Sequence, residues 1–233
     1  MGRTAHSSGG GFRKKELSYS AIYAHFSRWC HDGSFKQVWQ ASILTVQDEL
    51  DLSELNLDGS HTLAKKGGES VAYQHRKKGK TSNILPIVDK RDYIVGCIGI
   101  LAGNHNDAYQ LKEHLQNAFK EMKKLGLAIH GAYFNADKAF DTRDARKTCF
   151  NHGLIPNIPE NPRNRKHPKR GRQRRFNPEV YQHRFGSEHT FAWLDKFKRL
   201  LIRFEKYDAC FLGAHYIAFT LINLRHKLAA ESD

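Results

Sequence analysis

The chain has 233 residues, with 38 Lys and Arg against 24 Asp and Glu, a formal charge of +14 and a pI near 9.7. That length is enough to bury a real core as one large or two small domains, and the charge favours a polyanionic partner, most simply nucleic acid. Four cysteines, Cys30, Cys97, Cys149 and Cys210, stand too far apart for any Cys-x-x-Cys pair, which argues against zinc ribbons and disulfide scaffolds and for a reducing cytoplasm. Gly9–Gly11 followed by Arg13, Lys14 and Lys15 lacks the apolar core of a signal peptide.

In chain order, residues 1–15 read as a flexible basic tail. The segment 16–50 carries Leu17, Ile22, Phe26, Trp29, Phe35 and Val38 in one or two short helices broken at Gly33, either the remnant of a DNA-binding unit or packing for the rest of the chain. Residues 54–65 alternate apolar and polar, which predicts a strand with Asp58 near its middle and Gly59 admitting a close backbone approach. Residues 65–80 are glycine-rich and basic and read as a loop. Two strands come next, Ile84–Val88 and Tyr93–Leu101, joined by a hairpin turn at Asp89–Asp92.

Asn106 and Asp107 are the expected caps of a helix with Leu111, Leu115, Phe119 and Met122 on one side and Gly126 at its end. A strand at Ile129–Ala136 then delivers Asp137 to its C-terminal edge. Asp141 is the expected cap of a helix over Thr142–His152, and Leu154–Ile158 is a further strand. Three strands, a helix, a strand, a helix and a strand give an α/β mixed sheet rather than a doubly wound one.

Arg163, Arg165, Lys166, Lys169, Arg170, Arg172, Arg174 and Arg175 form a run with no acid among them, a solvated loop suited to phosphates. Asn177-Pro178 starts a helix expected to run to about Arg199 and on through Phe204, and Ala209–Leu228 closes the chain as a last helix. Its most apolar part, Phe211–Leu224, is broken by His215 and Asn223 and is shorter than the ~18 residues that span a bilayer. A buried helix is expected there, with no membrane partner.

Tyr181, Arg184 and Glu188 fall on one helical face at spacing i, i+3, i+7. Alone, Arg184 and Glu188 are explained by an i,i+4 ion pair. Together with Asp58 and Asp137 they match the carboxylate order of the RNase H-like DDE nucleases. The stretches 57–61, 136–141 and 181–194, continued by Phe197–Leu200 and Arg203–Glu205, resemble the DDE transposases of bacterial insertion sequences that carry a Tyr-x2-Arg-x3-Glu motif.

That resemblance implies an RNase H-like catalytic domain over 51–228, with helical segments before and after the sheet. It implies Asp58, Asp137 and Glu188 as catalytic metal ligands for Mg²⁺ or Mn²⁺, with two ions ~3.5–4 Å apart clamping an in-line displacement. Water would cut at the element's ends and the freed 3′-hydroxyl would attack target DNA. The implied partners are double-stranded DNA with terminal inverted repeats and a second copy of the chain. Tyr181, Arg184 and the basic run would contact DNA. The family often has a lysine seven positions after the glutamate; here Asp195 occupies that place, which leaves Lys198 as the replacement contact.

Asp89 also ends a strand and is the rival first carboxylate, but a hairpin turn favours Asp for local hydrogen bonding. His61, three residues beyond Asp58 on a strand, should face away from it. No Walker sequence or zinc pattern is present. Two other readings stay open: a truncated or inactive DNA-binding derivative, motivated by the brief N-terminal region and Asp195, and a nuclease that cuts without joining.

Overall fold

The computed structural model describes residues 18–106, 108–162 and 174–231. The tail 1–15, the cap expected at Asp107, and Arg163, Arg165, Lys166, Lys169, Arg170 and Arg172 of the basic run lie outside the described residues.

Helices α1 (Tyr19–His31) and α2 (Ser34–Thr45) are separated at Gly33, whose φ of 81° is a left-handed conformation that glycine adopts without steric cost. Strands β1 (Glu54–Leu57), β2 (Ser60–Ala64), β3 (Ala72–Gln74), β4 (Gly79–Asp89) and β5 (Ile94–Ala102) come next. They are followed by α3 (Leu111–Lys124), β6 (Tyr133–Ala136), α4 (Arg143–Asn151) and β7 (Ile155–Asn157). The chain ends with α5 (Pro178–Gln182), α6 (Gly186–Leu194), α7 (Lys198–Leu201), β8 (Ile202–Arg203) and α8 (Asp208–Ala230).

All eight strands join one mixed sheet. Its centre runs β5-β4-β1-β6-β7: β4 is antiparallel to both β5 and β1, while β6 and β7 are parallel to β1. Three antiparallel strands followed by two parallel ones reached through helices is the RNase H-like arrangement. Every residue of β1 and β4 from Thr81 to Asp89 is buried, so the middle of the sheet is covered on both faces.

The apolar stripe of α3 (Leu111, Leu115, Phe119, Met122) is buried, and Met122 reaches β5 so closely that a Cβ on Gly96 would lie 3.4 Å from its sulfur. In α8 the two polar interruptions have local uses. Asn223 accepts the Ile94 N–H at 2.8 Å and donates to the Ile94 carbonyl at 3.1 Å, which satisfies backbone groups of β5 that have no strand partner. The ring Nδ1 of His215 bonds the Phe211 carbonyl at 2.8 Å. Among the described residues no helix is long and apolar enough to cross a membrane.

Several boundaries differ from the sequence reading. The basic stretch 65–80 holds β3 and the start of β4, a small hairpin, because Ala72–Gln74 pairs with Gly79–Thr81. Asn106 closes a turn, accepting from the Ala108 N–H at 3.1 Å, and α3 begins only after Gln110, itself left-handed at φ 47°. The strand expected from Ile129 starts at Tyr133, since Gly131 at φ 83° sits in a turn closed by the Ala132 N–H on the Ile129 carbonyl. The single helix expected over 178–204 is three helices and a strand. A 3₁₀ turn at His183–Phe185 separates α5 from α6, and Ile202–Arg203 leaves the helix to pair with β2.

Candidate active site

Asp58 owes its exposure to a gap in the sheet. With Leu57 opposite Ile87 and Ser60 opposite Ile84, β1 and β2 are one line of chain along β4, and Asp58 falls opposite Pro86. Proline has no N–H for the ladder. The pairing lapses at Asp58-Gly59, and the Asp58 carboxylate turns back to accept the Gly59 N–H at 2.9 Å. Gly59 lies against Asn83, where a Cβ would come within 3.0 Å of the amide oxygen.

One strand away, Asp137 follows β6 at the same height. The parallel register pairs Leu57 with Ala136, so the next residues, Asp58 and Asp137, leave adjacent strand ends side by side. The Asp137 carboxylate accepts the Lys138 N–H at 2.6 Å as cap of a 3₁₀ turn at Lys138–Phe140. Both aspartates line one open cavity of about 510 Å³.

Arg184 reaches the same place from the turn after α5. Its guanidinium donates to Asp58 Oδ2 at 2.9 Å and stacks 5.5 Å above the Tyr181 ring. Burial works against the Arg184 charge, but Asp58 first, then Tyr181 and Asp137, outweigh it and raise its pKa. The Tyr181 phenol is raised as well, chiefly by burial, with Asp137 and Asp58 adding to the effect and Arg184 opposing it. One residue earlier, His183 Nδ1 lies 2.9 Å from the buried carboxylate of Glu54, which Lys90 also approaches at 3.3 Å. The 183–185 turn is thus docked on β1 at two points.

Beneath the carboxylates runs a ladder of buried amides. Asn135 donates to Asn56 at 2.8 Å and Asn157 donates to Asn135 at 2.8 Å, linking β1, β6 and β7 two residues before each aspartate. Asn157 then holds Asn177, accepting its N–H at 2.8 Å and donating to its carbonyl at 2.9 Å, and Asn177 caps α5 through the Glu179 and Val180 N–H groups. The repeated Asn-x-Asp at 56–58 and 135–137 is the sequence signal for this layer, one that strand periodicity alone does not single out.

Glu188 stands apart. It is exposed on α6 and does not line the cavity, and a 3₁₀ turn at His183–Phe185 lies between it and Tyr181 on α5. Among the described residues no three His, Cys, Asp or Glu side chains converge on a metal-sized site. The donor set present is therefore two carboxylates. That fits Mg²⁺ or Mn²⁺, since Mg²⁺ is commonly held by one or two carboxylates with waters and substrate phosphates.

The other expected site residues separate in the same way. Lys198 opens α7, exposed and away from the cavity, and Asp195 ends α6 beside Lys196, which lies 3.5 Å over the Trp193 ring. Arg174 is not a free loop cation: with Arg146 it pairs with Asp141. Arg175 borders a separate cavity of about 490 Å³ with Tyr133, Asn157 and Pro178.

Asp141 is not a helix cap, since Thr142 caps α4 by accepting the Ala145 N–H at 3.0 Å. It instead ties the two feet of the basic run, taking the Asn161 N–H at 2.9 Å as well as Arg174. His61 does border the cavity beside Asp58, against the expectation from strict alternation, because the break at Asp58-Gly59 resets the faces. Asp89 is fully buried and accepts the Asp51, Arg91 and Tyr93 N–H groups, and burial raises its carboxyl to about 7. It organises its turn and does not line the cavity.

Among solved structures, the chain is similar to one described as the Mos1 transposase paired-end complex with left transposon end, at 15% identity and a TM-score of 0.33, over 96% of this chain and 67% of that one. Comparison with curated proteins gives no match. The family model described as Transposase DDE domain matches residues 44–224, from the end of α2 into α8, with Asp58 and Asp137 inside the match. The chain belongs to the transposase DDE domain family.

Proposed function

We propose that this DDE-family chain cuts DNA at the ends of a bacterial insertion sequence and joins the freed 3′-hydroxyls to target DNA, acting in the cytoplasm as a homodimer on paired ends. The supporting observation is the register of β1 and β6, which sets Asp58 and Asp137 at neighbouring strand ends in one cavity. These two carboxylates would hold Mg²⁺ or Mn²⁺, with Glu188 as the third ligand once the 183–188 segment re-seats on DNA. When bound, the ion supplies Lewis-acid charge at a phosphoryl oxygen and lowers the pKa of a bound water.

The side chains have distinct tasks in this reading. Asp58 and Asp137 provide the negative oxygens, and Arg184 orients Asp58 while bringing a permanent positive charge to the incoming phosphate. Tyr181, protonated at neutral pH, donates a hydrogen bond beside it. Lys198, Arg175 and the basic run hold flanking phosphates.

Nicking of a duplex carrying the terminal inverted repeats tests this. The wild type should nick in Mg²⁺ and Asp137→Ala should not; equal activity would remove Asp137 from catalysis. The separation of Glu188 from the aspartates favours a second reading, a DNA-binding derivative that no longer cuts. It is the correct one if the wild type binds DNA in a salt-sensitive way and nicks nothing. Cutting without joining would instead indicate a plain nuclease.

A further inference from the structure

We propose that the β3–β4 hairpin is a phosphate-binding element of the active-site cavity, with Arg76 and Lys77 gripping the backbone of the DNA strand presented to Asp58 and Asp137. The inference rests on the DNA-cleaving reading above. The cavity that holds both aspartates is also lined by Gln74, Arg76 and Lys77 from the hairpin. A strand entering it meets two carboxylates, and among the described lining residues outside the hairpin Arg184 is the one permanent cation. Arg184 is already committed to Asp58 at 2.9 Å. Arg76 and Lys77 are exposed, and among the described residues neither is in a salt bridge, whereas Arg174 of the basic run is paired with Asp141.

The hairpin fixes the backbone that carries them. Tyr73 pairs with Lys80 and Gln74 with Gly79, the Lys78 N–H closes the turn on the His75 carbonyl at 3.2 Å, and Gln74 Oε1 accepts the Arg76 N–H at 3.2 Å. Arg76 and Lys77 are the two central residues of that turn. Lys78 takes a left-handed φ of 49°, and a Cβ on Gly79 would meet Leu63 of β2 at 2.9 Å, so the hairpin packs directly on the strand that follows Asp58. A forked guanidinium and a point-charge ammonium on a fixed turn suit successive phosphodiesters and read no bases.

The test is the salt dependence of binding to a short random-sequence duplex, followed by fluorescence anisotropy of the full chain between about 50 and 200 mM salt. Arg76→Ala/Lys77→Ala should lower the magnitude of the log–log slope by about 2, one phosphate for each cation. Arg76→Gln/Lys77→Gln, which keeps side-chain length, should lose as much. Lys123→Ala/Lys124→Ala, on the exposed end of α3, should leave the slope unchanged. An unchanged slope in both hairpin variants, or an equal loss in the α3 variant, overturns the proposal while leaving metal-dependent nicking by the wild type intact. A wild type that binds no duplex overturns both readings together.

Discussion

A single proline shapes the first carboxylate. Because Pro86 cannot donate to the ladder, the strand it faces opens at Asp58-Gly59, and an acid that would otherwise lie against β4 is delivered to a cavity. His215 shows the opposite treatment of a titratable group. Fully buried in α8 and near Arg203, it is depressed from the ordinary histidine range to about 4, burial being the main cause.

Its folded pKa lies below its unfolded one, so the neutral ring contributes stability that is complete above about 6.5 and is lost as pH falls from there toward 4. The loss should be about 1.4 kcal/mol per pH unit in that window. Urea unfolding at several pH values checks this through the difference between wild type and His215→Gln. That difference should shrink as pH falls through the window and stay flat above it; parallel curves would contradict it.

At the scale of elements, the asparagine ladder connects the carboxylate strands to the helix that carries Tyr181 and leads into the turn with Arg184. Replacing Asn135 with Ala strips Asn56 of its donor and Asn157 of its acceptor, leaving two buried amides short of partners. The expected cost is about 3 kcal/mol, at roughly 1–3 for each orphaned group, read as a fall in the urea midpoint. A loss under about 0.5 kcal/mol would show that water or repacking replaces the ladder.

The same scale explains what could be read from sequence. Strands β1, β4, β5 and β7 were legible because their period-two or continuous apolar patterns match buried strands, and α3 because its stripe repeats every three or four residues. The hairpin at β3 was not, since its three residues are too few to show a period and its charges mask it. The break in the helix expected over 178–204 was also hidden. It is imposed by Glu54 and Asp58 drawing His183 and Arg184 onto β1, contacts that span more than a hundred residues of chain. Asp137 is legible as the acid at a strand end, whereas Asp58 reads as mid-strand because the lapse opposite Pro86 that ends β1 at Leu57 has no local signal. Glu188 joins them only through a helical spacing that a 3₁₀ turn interrupts.

For the molecule as a whole, the formal charge is +14, and Asp141, four residues past Asp137, holds Asn161 and Arg174 at the two ends of the basic run. If the seven run cations other than Arg174 each meet a phosphate along with Arg76 and Lys77, the log–log salt slope for duplex binding should be about 8 in magnitude. A slope near 2 would mean that the run is not the main contact.

The pairing of Asp58 with Asp137 is open to direct measurement by Mn²⁺ binding, followed by electron paramagnetic resonance in the wild type, Asp58→Asn and Asp137→Asn. The wild type should bind Mn²⁺, and each single substitution should weaken binding at least about tenfold, equivalent to about 1.4 kcal/mol. Binding as tight in both variants as in the wild type would contradict a metal site built on these two strand ends.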